Sequence, residues 1–142
     1  MIARLSHTTI FVKNQDSARE FYSKKLGFSV ANDVRLGSLR WLTVRPPEQK
    51  ELEIALLDPT AMFDDEPEVR GKFKELMATG KLGAGVFQTP DCEKTYTELK
   101  ARGVKFRRPP ESRPYGIEAI FEDDSGNWFS LTQPIIPSPS SV

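Results

Sequence analysis

Leu5-Ser6-His7-Thr8-Thr9-Ile10-Phe11-Val12-Lys13-Asn14 decides the fold, because the chain says it again at Leu82-Gly83-Ala84-Gly85-Val86-Phe87-Gln88-Thr89-Pro90-Asp91. Leu5 to Leu82 and Asn14 to Asp91 are both 77 positions apart, and the later landmark Gly27 recurs 76 positions on, as Gly103. Unrelated segments rarely hold so constant a spacing, so the chain reads as an internal duplication of a strand, a helix and further strands. Equivalent positions can then be compared within one sequence, and a site built from both halves can be checked for completeness.

Working outward, residues 5–12 alternate: Leu5, His7, Thr9 and Phe11 fall on one face of a strand, Thr8, Ile10 and Val12 on the other. Asn14-Gln15-Asp16-Ser17 supplies helix-capping chemistry, and Ser17 with Glu20 has capping-box spacing. Ala18, Phe21, Tyr22 and Leu26 form a buried helical stripe that Gly27 ends. Strands are predicted at 28–34, 38–45 and 51–57, with Pro46-Pro47 separating the last two because proline cannot donate to a ladder. Residues 58–65 read as a loop. A connector helix follows at about 66–79, with Val69, Phe73, Leu76 and Met77 on its apolar face. The second copy opens with a strand at 82–89, and Asp91 caps a helix with Cys92, Tyr96 and Leu99 inside and Gly103 as its stop. Strands near 104–108, 117–122 and 127–133 complete it, the last two joined by the hairpin signal Asp123-Asp124-Ser125-Gly126-Asn127. Residues 135–142 read as a flexible tail.

Twenty basic and twenty acidic side chains cancel, which removes the electrostatic case for nucleic acid or an anionic membrane as partner. No apolar run is long enough to span a bilayer, and residues 1–7 lack the apolar core of a signal peptide. With a single cysteine, Cys92, the expectation is a cytoplasmic protein. Histidine is the most restrictive count, for His7 is the only one. A structural zinc site, or a two-histidine, one-carboxylate iron site, cannot be assembled from one protomer, and a symmetric dimer delivers one His7 to each of two equivalent sites.

Two copies of strand, helix and three strands, His7 ahead of Asn14, then Phe21-Tyr22, Leu26-Gly27-Phe28 and the final Asp123–Trp128 hairpin, resemble the vicinal oxygen chelate superfamily of glyoxalases, fosfomycin- and bleomycin-resistance proteins and extradiol dioxygenases. The resemblance covers about residues 4–134, and Asp124 stands where the family hairpin usually has proline. It implies an α+β fold of two tandem βαβββ modules that form a curved mixed sheet, a cup, with helices outside. Module 1 then spans about 4–58 and module 2 about 82–134, together one domain, 1–134. It also implies a homodimer, side by side or with modules exchanged.

In metal-dependent members the ligands come from the first and last strand of each module. Carried over by position, these places are His7, Glu53 (with Glu51 on the same face as the alternative carboxylate), Ala84 and Ser130, with Glu53 to Ser130 again 77 apart. His7 and Glu53 match the family's ligand types and Ala84 and Ser130 do not, so a divalent metal is possible at an incomplete site and no resident cofactor is expected. Glu53 stands among Leu52, Ile54, Leu56 and Leu57. In a cavity, desolvation is expected to raise its pKa toward that of a general base. Thr9 and Phe11 extend the His7 face, Gln88 extends its counterpart, and Trp41 and Tyr115 combine apolar area with a polar handle suited to a pocket wall. His7, Thr9, Phe11, Trp41, Gln88, Tyr115 and Ser130 are therefore the candidate ligand contacts. Glu53 is the candidate catalytic residue, and His7 with Glu53 the candidate metal pair. Two functions follow from the resemblance: a small-molecule-binding protein of the bleomycin-resistance kind with a degenerate metal site, or a lyase, isomerase or dioxygenase-like enzyme using metal or Glu53 as base.

Overall fold

The computed structural model describes residues 1–135, so the expected tail lies outside the described residues apart from Ile135. Module 1 runs β1 (His7–Phe11), α1 (Gln15–Glu20, continued by a wider π-type stretch Phe21–Lys25), β2 (Ser29–Leu36), β3 (Leu39–Arg45) and β4 (Glu53–Leu57). After α2 (Pro59–Met62) and α3 (Pro67–Ala78), module 2 repeats the order as β5 (Gly83–Gln88), α4 (Cys92–Ala101), β6 (Lys105–Arg113), β7 (Gly116–Glu122) and β8 (Trp128–Pro134). Each module forms a four-stranded mixed sheet, ordered β1-β4-β3-β2 and β5-β8-β7-β6, in which only the first and last strands pair in parallel. The fold is α+β with two tandem βαβββ modules, as the duplicated pattern and the resemblance lead one to expect.

Local chemistry accounts for the helix ends. Asn14 caps α1 by accepting from the Ser17 amide at 2.9 Å, and Asp91 caps α4 by accepting from the Lys94 amide at 3.0 Å. The Ser17/Glu20 capping box does not form: Asn14 already holds the cap, Ser17 donates to Asp124 at 2.5 Å, and Glu20 pairs with Lys24 one turn on. The predicted loop at 58–65 contains the short α2, because Asp58 accepts from the Thr60 amide and Pro59 occupies the first helical position. On α3 only Met77 of the predicted apolar face is buried, while Val69 and Leu76 are exposed. Phe73 packs edge-on to Phe11 at 4.7 Å and stacks on Phe63 at 5.8 Å.

The modules share one apolar core. Ile10, Val12, Tyr22, Leu42 and Leu56 from the first join Leu99, Phe121, Phe129 and Leu131 from the second. Phe28 meets Phe87 edge-on at 5.4 Å across the boundary. The β7–β8 hairpin locks them: Asn127 Nδ2 donates to the Phe11 carbonyl at 2.8 Å, the Lys13 amide to Ser125 Oγ at 2.8 Å, and Tyr22 Oη to Asp123 Oδ2 at 2.7 Å.

One consequence of register governs the site. The Val12 amide donates to the Leu57 carbonyl, and its repeat is Thr89 to Thr132; Glu53 to Ser6 is repeated as Trp128 to Leu82. The last-strand offset is therefore 75 (57 to 132, 53 to 128), not the 77 that holds from Val12 to Thr89. In β5 a bulge between Gly83 and Gly85 adds a residue and directs Ala84 against the core.

Candidate functional site

The two faces turned away from the shared core carry the polar side chains. On module 1, parallel register places His7 directly beside Glu53, with His7 Nε2 3.5 Å from Glu53 Oε2. Alternation along β3 brings Thr43 and Arg45 to the same carboxylate, and β2 adds Asn32. Glu53 Oε1 accepts from Thr43 Oγ1 at 2.6 Å and Asn32 Nδ2 at 2.9 Å, and Oε2 accepts from Arg45 Nη2 at 3.3 Å. His7 Nδ1 meets Ser6 Oγ at 2.9 Å, and its ring lies 5.9 Å from that of Trp41. The hydrogen bond from Thr43, aided by Asn32, Arg45 and His7, holds the Glu53 carboxyl below the usual carboxylate range despite its burial. The expectation of a raised pKa fails for this reason: the strand neighbours are apolar in sequence, but they point elsewhere, and hydrogen-bond donors surround the carboxylate.

On module 2, Glu118 of β7 accepts from Ser130 Oγ at 2.5 Å and from Tyr115 Oη at 2.8 Å, and Ser130 Oγ lies 2.7 Å from Thr132 Oγ1. The bond to Glu118 also raises the Tyr115 phenol above its ordinary value. Beside this network lies a groove of about 350 Å³ lined by Arg107, Arg108, Glu118, Ile120 and Trp128.

The structure therefore brings His7, Glu53 and Trp41 together on one module, and Ser130 and Tyr115 to one carboxylate on the other. Thr9 and Gln88 are exposed on their strands. Phe11 is engaged by Phe73 of α3. Ala84 and Ser130 are not paired, since Ser130 stands opposite Val86 and the ladder counterpart of Glu53 is Trp128. Val86, opposite Ser130, is 70% exposed. Glu53 draws all its hydrogen bonds and ion pairs from module 1 side chains, and Glu118 draws its own from module 2. Residue-by-residue reading overlooks Thr43, Arg45, Asn32 and Glu118. Strand parity from Trp41 would have found the first two, because 41, 43 and 45 share a face. Among the described residues no three His, Cys, Asp or Glu side chains cluster as a metal-ligand set.

Comparison with known proteins gives a coherent answer. The model of the Glyoxalase/Bleomycin resistance protein/Dioxygenase superfamily matches residues 4–131. The chain is 36% identical to the uncharacterized protein YurT of Bacillus subtilis strain 168 over 126 residues, 89% of this chain and 95% of the relative. Its structure superposes on that of UcmS2 with TM-score 0.87 and 47% identity, covering 94% of this chain and 99% of the other. It also superposes on TnmS3, an antibiotic binding protein from Streptomyces sp. CB03234, with TM-score 0.73 and 28% identity over 94% and 97% of the two chains.

Proposed function

Because the chain belongs to the glyoxalase/bleomycin resistance/dioxygenase superfamily, we propose that it is a metal-free member that binds an antibiotic-type small organic molecule and sequesters it unchanged. The observation that carries this reading is the saturation of Glu53. Both of its oxygens are occupied by donors, one of them the Arg45 guanidinium. A divalent ion would have to displace that cation and would gain only one carboxylate and one imidazole, too few protein ligands for a closed first shell. These residues do not fit a resident metal. A carboxyl held below its ordinary range is also a weak general base at neutral pH, which counts against the enzyme reading. The relation to an antibiotic binding protein supports the choice of ligand class. No helix among the described residues is long and apolar enough to cross a membrane, and the buried free thiol of Cys92 suits the reducing cytoplasm in which we place the protein.

Affinity-selection mass spectrometry against a panel of bleomycin-type, polyketide and fosfomycin antibiotics tests the reading. Expected is retention of at least one compound, recovered with unchanged mass, at the same affinity with and without EDTA. Conversion of the compound, or retention that vanishes with EDTA and returns with manganese or nickel, overturns it.

We place the protein in a homodimer, in which each open face of one chain gains a cover. Val34 (48% exposed), Leu36 (59%) and Val86 (70%) lie on those sheets and are apolar surface that a second copy would bury. Light scattering at micromolar concentration should return twice the 16.0 kDa chain mass; a single-chain mass rules the dimer out.

A further inference from the structure

Two charges of opposite sign line the module 2 groove without a charged partner. Lys105 and Arg107 are both taken by Glu122 and Arg113 by Glu111, whereas the Arg108 guanidinium makes no hydrogen bond or ion pair among the described residues. Glu118 accepts only from the neutral hydroxyls of Ser130 and Tyr115 and has no cation in contact among the described residues. Between these charges the wall is fixed. Trp128 Nε1 donates to the Lys81 carbonyl at 3.1 Å, and the indole lies against Gly83, where a Cβ would stand 2.6 Å from a ring carbon. Only glycine admits the ring there.

Resting on the small-molecule reading, we propose that this groove is a binding site for a small zwitterionic aromatic molecule. Glu118 takes its cationic or hydrogen-bond-donating end, Arg108 its anionic oxygen, and Trp128 with Ile120 its ring. A molecule with one charge satisfies one of these groups and is repelled by, or leaves unpaired, the other. A zwitterion makes both ion pairs at once, each a charge-assisted contact.

The two tryptophans allow a direct test, since Trp41 lies on the module 1 face and Trp128 in the groove. Full-length Trp41→Phe leaves Trp128 as the sole indole. Its emission is titrated at low ionic strength with 4-(aminomethyl)benzoate, benzylamine and benzoate. Expected is a Kd for the zwitterion at least about tenfold below that of either monovalent probe. Arg108→Gln should bring the zwitterion to the level of benzylamine, and Glu118→Gln to that of benzoate. Far-UV circular dichroism checks the fold of each variant, and Arg108, being exposed, tests the idea even if Glu118→Gln misfolds. Equal affinity for the three probes, or a preference that survives Arg108→Gln, overturns the inference. A response of Trp41 in Trp128→Phe, with none from Trp128, also overturns it but leaves small-molecule binding standing.

Discussion

Asp123→Ala should cost about 4 kcal/mol and lower Tm by about 12–16 °C, the largest loss expected from any polar substitution in this chain. Asp123 is 4% exposed and its carboxylate is the acceptor for the Ser125 amide at 2.9 Å, the Asn127 amide at 2.9 Å, Asn127 Nδ2 at 3.0 Å and Tyr22 Oη at 2.7 Å. Ser125, Asn127 and Tyr22 are themselves buried, so truncation strands four donors with little access to water. Each stranded donor costs about 1 kcal/mol or more. The hairpin that Asp123 shapes is also the one that holds Phe11 and Lys13, so both modules should loosen together. Tyr22→Phe removes one of the four bonds and should cost about 1 to 2 kcal/mol. The exposed Asp124, whose side chain reaches only Ser17 Oγ, should cost well under about 1 kcal/mol as alanine. Thermal unfolding followed by circular dichroism orders the three. A loss at Asp123→Ala no larger than at Asp124→Ala would refute the hub. Burial and the neighbouring Asp123 hold the Tyr22 phenol well above its ordinary value of 10.0, so the fold keeps it protonated. Stability from this group is complete below that pH and is lost as pH rises above it.

Glu53→Ala should cost about 2 to 3 kcal/mol, with Tm down by about 6–10 °C, although no metal is involved. The loss arises because Thr43, fully buried, gives up its acceptor, and because Arg45 is left with fewer partners when its Nε already lacks one among the described residues. A surface carboxylate that served only to receive an ion would be nearly neutral to remove. Since the Glu53 carboxyl is held below its ordinary value of 4.5, its contribution is fully present above that pH and disappears as pH falls below it. The stability difference between wild type and Glu53→Ala, measured by urea unfolding, should therefore shrink as pH falls below 4.5. A difference that is zero at pH 7, and appears only when manganese or nickel is added, would restore Glu53 to the role of metal ligand.

These two side chains mark the boundary between what was readable in sequence and what was not. His7 and Glu53 were legible as a pair because the superfamily resemblance carries ligand positions onto the first and last strands of module 1, and the parallel β1–β4 register sets them side by side. The core was legible from periodicity, since Ala18, Phe21 and Tyr22 recur at helical spacing. The charge state of Glu53 was not legible, for its apolar sequence neighbours are not its spatial neighbours. Thr43, Asn32 and Arg45 reach it from two other strands.

The sequence by itself determined the duplication, the α+β architecture, the capping of α1 and α4 by Asn14 and Asp91, and the scarcity of ligands implied by a single histidine. The duplication, the caps and the histidine count follow from local spacing and residue chemistry, and the architecture from the family resemblance those motifs carry. Tertiary structure decided the rest: the β5 bulge that sends Ala84 to the core, the two-residue shift that sets Trp128 and not Ser130 opposite the place of Glu53, and the charges of Arg108 and Glu118 left facing one groove. Strand register and side-chain partnership are settled by how distant segments meet: the offset is 76 at Ser6 and Leu82, 77 past the β5 bulge at Val12 and Thr89, and 75 along the last strands.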